Sequence, residues 1–353
     1  MPALPLPSAW PSRTQLLTAL VATLGGGLLS LLHVPLAWMI GALLFTAALG
    51  WHRPVDFPRW ARPAGLVLLG IGFGTTFSGP VLGAVSAALP VLAVAGVISI
   101  AAGVAVAPLF ARFAGLDSRT AFFSAVPGGI VVMAMLAQEA KVPVAPVTLA
   151  QTVRVLVVVL TFPPLLGWLA PHGDVNEFMA PRQPFSAPGL LMLVAAGLLT
   201  VWPLRRLGIA NPWMLGPCLL TLGLAAGAGW VPSGVPKPLV DAAQVAMGAT
   251  LGLRLTRSFI LGSRRLFHAS ILASVALSLL LAALAVPVAL VGGLPVAAAI
   301  LGLAPGGMPE MALTAKALEL AVPLVLGFHL TRTVLSNILV GPMHRLAVRL
   351  RLL

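Results

Sequence analysis

Twelve apolar runs, six in each half of the chain, set what this sequence can fold into. In the first half they cover roughly 14–32, 36–50, 63–80, 88–110, 120–138 and 143–170. In the second they cover roughly 188–203, 212–229, 239–253, 267–291, 295–315 and 321–343. Hydrocarbon offers no water to a backbone amide, so apolar runs of about 20 residues fold as helices that satisfy their own hydrogen bonds. Period-two alternation is missing, which argues against a barrel. Charged residues are 8% of the chain and mean hydropathy is +1.05, too little charge to keep a soluble surface dispersed. The first run follows Arg13 without a small-x-small cleavage site, and a counterpart in the second half predicts that it is retained.

The formal net charge of +13 comes from 21 Lys and Arg against 8 Asp and Glu. These basic residues sit in short gaps between apolar runs, a pattern that reports topology rather than nucleic-acid binding. No gap is long enough for a soluble DNA-reading module. The lone Cys218 excludes a disulfide within the chain and reads as a packing residue.

The two halves repeat one another. Val126-Pro127-Gly128-Gly129-Ile130 is followed by Gln151-Thr152-Val153-Arg154. Ala304-Pro305-Gly306-Gly307-Met308 is followed by His329-Leu330-Thr331-Arg332. Pro305, Met311 and Arg332 stand at one constant offset from Pro127, Met133 and Arg154. Gly70 and Gly74 match Gly248 and Gly252 at that same offset, positions that read as close helix packing. Trp38-Met39-Ile40-Gly41 echoes Trp213-Met214-Leu215-Gly216. The expected organisation is one membrane repeat over residues 13–170, an external linker over 171–187, and a second membrane repeat over 188–347.

Charge bias helps decide the topology. With all twelve runs crossing and the N-terminus inside, 11 basic residues fall inside and 8 outside. With each Pro-Gly-Gly run entering and leaving on one side, the second half inverts and the tally becomes 16 inside. Only Arg182, Lys237 and Lys316 then fall outside, with Arg154 and Arg332 buried. The expected fold is therefore an all-α polytopic membrane protein of two inverted-topology repeats. It would have about ten crossing helices plus two broken or re-entrant Pro-Gly-Gly segments, and both termini cytoplasmic; a non-crossing third run in each half would give the same parity.

The repeated motif carries what chemistry the chain has. Proline removes a helix hydrogen bond and two glycines loosen the backbone, so Pro127, Gly128, Gly129 and Pro305, Gly306, Gly307 free amides and carbonyls in a place without water. A kink for close packing and a cradle for an anion are the two readings. Arg154 and Arg332 lie mid-segment, where a guanidinium needs a carboxylate, a cluster of carbonyls or an anionic ligand. Glu310 is the one clear acid within an apolar core, with Val132 at the equivalent position of the other repeat, and reads as either the partner of Arg332 or a proton carrier. His329 precedes Arg332 by three residues on the same helical face, as Gln151 precedes Arg154.

The duplicated Pro-Gly-Gly and Trp-Met-Ile/Leu-Gly signatures, with Gln-x-x-Arg and His-x-x-Arg downstream, resemble the AbrB duplication family of polytopic bacterial inner-membrane proteins. The likeness runs from about Thr14 to Ala347. Labels attached to that family include transcriptional regulator and ammonia monooxygenase, and neither suits these residues. A copper oxygenase needs clustered histidines, whereas the six here are scattered, and a direct regulator needs a DNA-reading element.

The expectation is a secondary transporter of a small organic anion rather than an enzyme. Arg154, Arg332, Gln151 and the two Pro-Gly-Gly triplets would bind the substrate, with Glu310 or His329 coupling it to a proton. The alternative is a membrane sensor or scaffold acting on gene expression indirectly. Its partners would be the lipid bilayer, a small anionic ligand and a second copy in a homodimer, with no direct nucleic acid and no cofactor.

Overall fold

The computed structural model describes residues 12–169, 178 and 183–349, and these residues are helical with short connections. The acidic part of the expected linker, 171–177, lies outside them. The first half contains α1 (Arg13–Leu31), α2 (Ala37–His52), α3 (Ala61–Gly74), α4 (Gly79–Ala87), α5 (Leu89–Ala114), α6 (Ser118–Ala125), α7 (Ile130–Glu139) and α8 (Val144–Leu169). The second contains α9 (Ala187–Arg206), α10 (Pro212–Leu222) running into a π-helical turn Gly223–Ala228, α11 (Lys237–Gly252), α12 (Arg257–Leu261), α13 (Arg264–Gly292), α14 (Val296–Leu303), α15 (Met308–Ala317) and α16 (Val322–Arg349).

The duplication holds down to the backbone. Left-handed residues end or begin matching elements: His33 and Leu36 correspond to Gly208 and Asn211. Gly115 and Lys141 correspond in the same way to Gly293 and Glu319. The second pair of matches keeps the spacing of the Pro-Gly-Gly motifs, while the first is slightly closer. The change falls between the starts of α2 and α10 and the matched glycines Gly70 and Gly248.

Among the described residues six helices are long and apolar enough to cross a bilayer: α1, α5 and α8, and their counterparts α9, α13 and α16. The remaining segments are shorter or broken. α3 fills the expected third run as far as Gly74, and α4, which lies almost wholly between the third and fourth runs, meets it at 92°. Ser78 restarts the chain there by accepting a hydrogen bond from the Val81 amide at 3.4 Å, with Pro80 in the first turn. The fifth run of each half is split at Pro-Gly-Gly into pieces of 8 and 10 residues, about 12 and 15 Å long, so no piece spans hydrocarbon alone.

The described chain packs as two compact units, each drawing on both halves. One combines the residues up to Leu66 with Pro236–Gly262. Here α11, from the second half, lies against α1 and α2, with Ala22, Ala42, Phe57, Ala61, Val245, Ala246 and Ala249 forming a shared core. The other combines Val67–Val235 with Ser263–Leu353, and in it the end of α3 lies against α10. The halves have thus exchanged their third helices.

Glycine makes both seams. A Cβ on Gly248 would strike the Met39 carbonyl oxygen, and one on Gly70 would strike that of Met214. Gly252 and Gly74 repeat the relation one turn on, against the carbonyls of Leu43 and Cys218. Gly248→Ala and Gly70→Ala are each expected to cost about 1–3 kcal/mol by overpacking, read as a lower unfolding midpoint in detergent. Gly83→Ala, where a Cβ meets nothing within 4 Å, should be neutral or mildly stabilising.

Candidate functional site

Both Pro-Gly-Gly breaks lie in the second unit and are built alike. Asp117 starts α6, accepting a hydrogen bond from the Thr120 amide at 3.0 Å. The helix stops at Ala125, before Pro127. The chain runs extended from Val126 to Gly129, and α7 begins. The second break repeats this from Ala304 to Gly307 between α14 and α15. Each leaves last-turn carbonyls without helix partners.

Side chains from the next long helix take those carbonyls. The Gln151 amide nitrogen reaches the carbonyls of Phe123 at 3.0 Å, Ser124 at 3.3 Å and Val126 at 3.0 Å. The Arg154 guanidinium donates to Val126 at 3.4 Å and Gly128 at 3.1 Å. In the second repeat His329 Nε2 meets the Leu301 carbonyl at 3.0 Å, and Arg332 donates to Ala304 at 2.7 Å and Gly306 at 3.0 Å. Phe123, Val126 and Gly128 are the repeat counterparts of Leu301, Ala304 and Gly306, so one bonding pattern is made twice. A cation at the C-terminal end of a helix also meets the negative pole of its dipole. Of the readings open from sequence, the carbonyl cluster is the one the two guanidiniums adopt.

His329 differs from Gln151 in one respect. Its Nδ1 accepts from Arg332 Nη2 at 2.9 Å, which leaves Nε2 to carry the proton donated to Leu301. Both ring nitrogens are occupied and the ring is neutral. Taking up a second proton would require Arg332 to let go.

Glu310 is 2% exposed and sits in the first turn of α15, whose N-cap is Gly307. The bonds of Arg332 go to Ala304, Gly306 and His329; Glu310 is not among them. The carboxylate instead folds back over Gly307, where Oε2 fills the space a Cβ would need. At the matching place in α7 stands Val132, which brings no charge, and Gly128 and Gly129 are half-buried. Each break also touches the other repeat: Ser336 on α16 donates to the Pro127 carbonyl at 3.1 Å, and Val158 on α8 packs against Gly306.

Burial alone would push the Asp117 carboxyl up. Hydrogen bonds from the Thr120 hydroxyl and from the amides of Thr120, Asp117 and Arg119 outweigh it, and hold the carboxyl below its ordinary range. A depressed carboxyl stabilises the fold above its unfolded pKa, and that stability is lost as pH falls through the folded value. Asp117→Ala is expected to cost about 1 kcal/mol at neutral pH. The gap between variant and parent melting temperatures should close in acid.

Among the described residues these features define an all-helical protein with helices long and apolar enough to cross a membrane, built on a duplicated broken-helix unit. The family model described as transition state regulatory protein AbrB matches residues 38–348, and the chain belongs to that family. It is similar to YhjN of Bacillus subtilis (strain 168), with 28% identity covering 92% of this chain and 91% of that protein. It is also similar to the putative regulator AbrB of Escherichia coli (strain K12), with 27% identity over 44% of this chain and 46% of that protein.

Proposed function

We propose that the protein is a secondary transporter of a small organic anion, in which the two halves are inverted and the broken segments meet at the substrate. The observation that carries this reading is the difference between two otherwise matching breaks. The α15 N-terminus holds an internal carboxylate, Glu310, against Gly307. The α7 N-terminus has Val132 in that position, and neither helix start is capped by a side-chain hydrogen bond. Free amides at the start of a helix favour an anion, and a carboxylate from outside would occupy at α7 the place Glu310 holds at α15.

Gly128 and Gly129 then contact the substrate. Gln151 and Arg154 fix the break behind it, and Pro305, Gly306, Gly307, His329 and Arg332 do the same in the other repeat. Glu310 is the coupling group, since His329 already has both nitrogens engaged. The shorter and bent helices complete about ten crossings, with both termini cytoplasmic in a bacterial inner membrane. The bias of basic residues toward the inner side supports that orientation.

The test is a melting-temperature screen of small mono- and dicarboxylates on purified protein, followed by uptake into vesicles for any that bind. A binder should raise the melting temperature in proportion to ligand excess. Val132→Glu, which supplies the first repeat with its own carboxylate, should remove that rise while the protein stays folded. Carboxylate binding that survives Val132→Glu unchanged would refute this placement.

A second reading has its own support. The guanidiniums are spent on backbone carbonyls, as suits a rigid sensor or scaffold that acts on gene expression through another protein. The relative's name as a putative regulator agrees with it. Binding without uptake in sealed vesicles would favour this reading.

A further inference from the structure

The two arginine sites share a pattern but not their surroundings. Beside Arg154, where α5, α6, α8 and α13 come together, is a cavity of about 10 Å³. Arg154, Ser124, Ser270 and Ser274 supply its polar wall. Arg154 is 4% exposed, and its Nε has no hydrogen-bond partner although it is buried. The serines donate to carbonyls one turn back: Ser124 to Thr120 at 2.7 Å, Ser270 to Leu266 at 2.7 Å and Ser274 to Ser270 at 2.6 Å. Such bonds add little to a helix whose carbonyls already receive amides, so these hydroxyls are free to turn.

The second repeat has no such place. Ser270, Ser274 and Ser124 have Leu92, Gly96 and Gly302 as their repeat counterparts. The space over Gly96 is taken by Leu335 and that over Gly302 by the Phe328 ring. The serine wall therefore belongs to the first repeat alone.

Charge says what the cavity wants. The bonds of Arg154 and Arg332 go to carbonyls and, for Arg332, to His329; neither includes a carboxylate. A buried ion without a counter-charge remains costly even after relaxation. An anion beside Nε would offset that cost for Arg154. The space admits a single atom and is too small for an organic acid.

We propose that this cavity binds one monatomic monovalent anion, of the halide class, through the Nε–H of Arg154 and the hydroxyls of Ser124, Ser270 and Ser274. The site is separate from the one proposed at the α7 N-terminus and stands whether or not the protein transports. Purified protein in sodium gluconate is titrated with sodium bromide, and crystals grown in bromide are searched for anomalous signal. The expected result is a saturable rise in melting temperature and a peak beside Arg154 Nε. Ser270→Leu combined with Ser274→Gly, which copies the second repeat, should lose the rise, and Ser274→Ala should need more bromide to reach it. Val132→Glu should leave it unchanged. No saturable rise, an equal rise in the double variant and in Ser274→Ala, or an ordered water with no anomalous signal beside Nε would each overturn the proposal.

Discussion

Arg332→Met is expected to lower the stability of the folded protein by about 3 kcal/mol or more, taking about 1–3 kcal/mol for each buried acceptor left without a donor. Three acceptors lose their donor: the carbonyls of Ala304 and Gly306, and His329 Nδ1. Removing the guanidinium also removes its desolvation cost, which works the other way. The carbonyls belong to the backbone, however, and cannot leave with it, so this is the removal of one partner from a buried set, the case in which destabilisation dominates. Arg154→Met should cost less. Its bond to Val126 is long at 3.4 Å, and that carbonyl keeps Gln151 at 3.0 Å. Unfolding midpoints in detergent check the ordering. Equal losses for the two variants would mean that the carbonyls are not what the side chains are for. Lysine at either position restores charge but not the two-pronged grip, and should recover only part of the loss.

On the proposed transporter reading, Glu310→Gln should abolish proton-driven accumulation while substrate exchange continues. A group that moves one proton with each substrate can sustain about a tenfold gradient per unit of pH difference, because one pH unit is worth about 1.4 kcal/mol per proton. Glutamine keeps the shape over Gly307 and cannot carry the proton. Vesicles with an imposed pH difference should then show equal internal and external substrate for the variant and a gradient for the parent. A gradient maintained by Glu310→Gln would move coupling elsewhere. His329 is the next candidate, and taking that proton would break its bond with Arg332.

The broken helices were legible because Pro-Gly-Gly inside an apolar run leaves few alternatives, and the constant spacing tied both breaks to the arginines downstream. The fate of the guanidiniums was narrowed but not decided. Sequence offered carbonyls or an anion, and only geometry put Arg154 against Val126 and Gly128. Glu310 was visible as an acid with no counterpart, but its fold back over Gly307 depends on the turn of α15. The right-angle bend between α3 and α4 was not read, because α4 falls between the third and fourth apolar runs and is too short to stand out as a run of its own. The helix exchange could not have been read at all. Gly70 and Gly248 announce close packing, but a repeat of fixed spacing looks the same whichever half provides the partner.

That exchange bears on how the chain is made. The carbonyls of α2 that receive Gly248 and Gly252 leave the ribosome long before α11 does. At roughly 5–20 residues per second, a lead of about 200 residues keeps α2 waiting on the order of ten to forty seconds for its neighbour. A ribosome stalled at the midpoint would release a first half with one groove unfilled and one helix unclaimed. Biogenesis of this protein should therefore lean on whatever insertase or chaperone shelters an incomplete bundle, and two separately encoded halves should accumulate only when produced together.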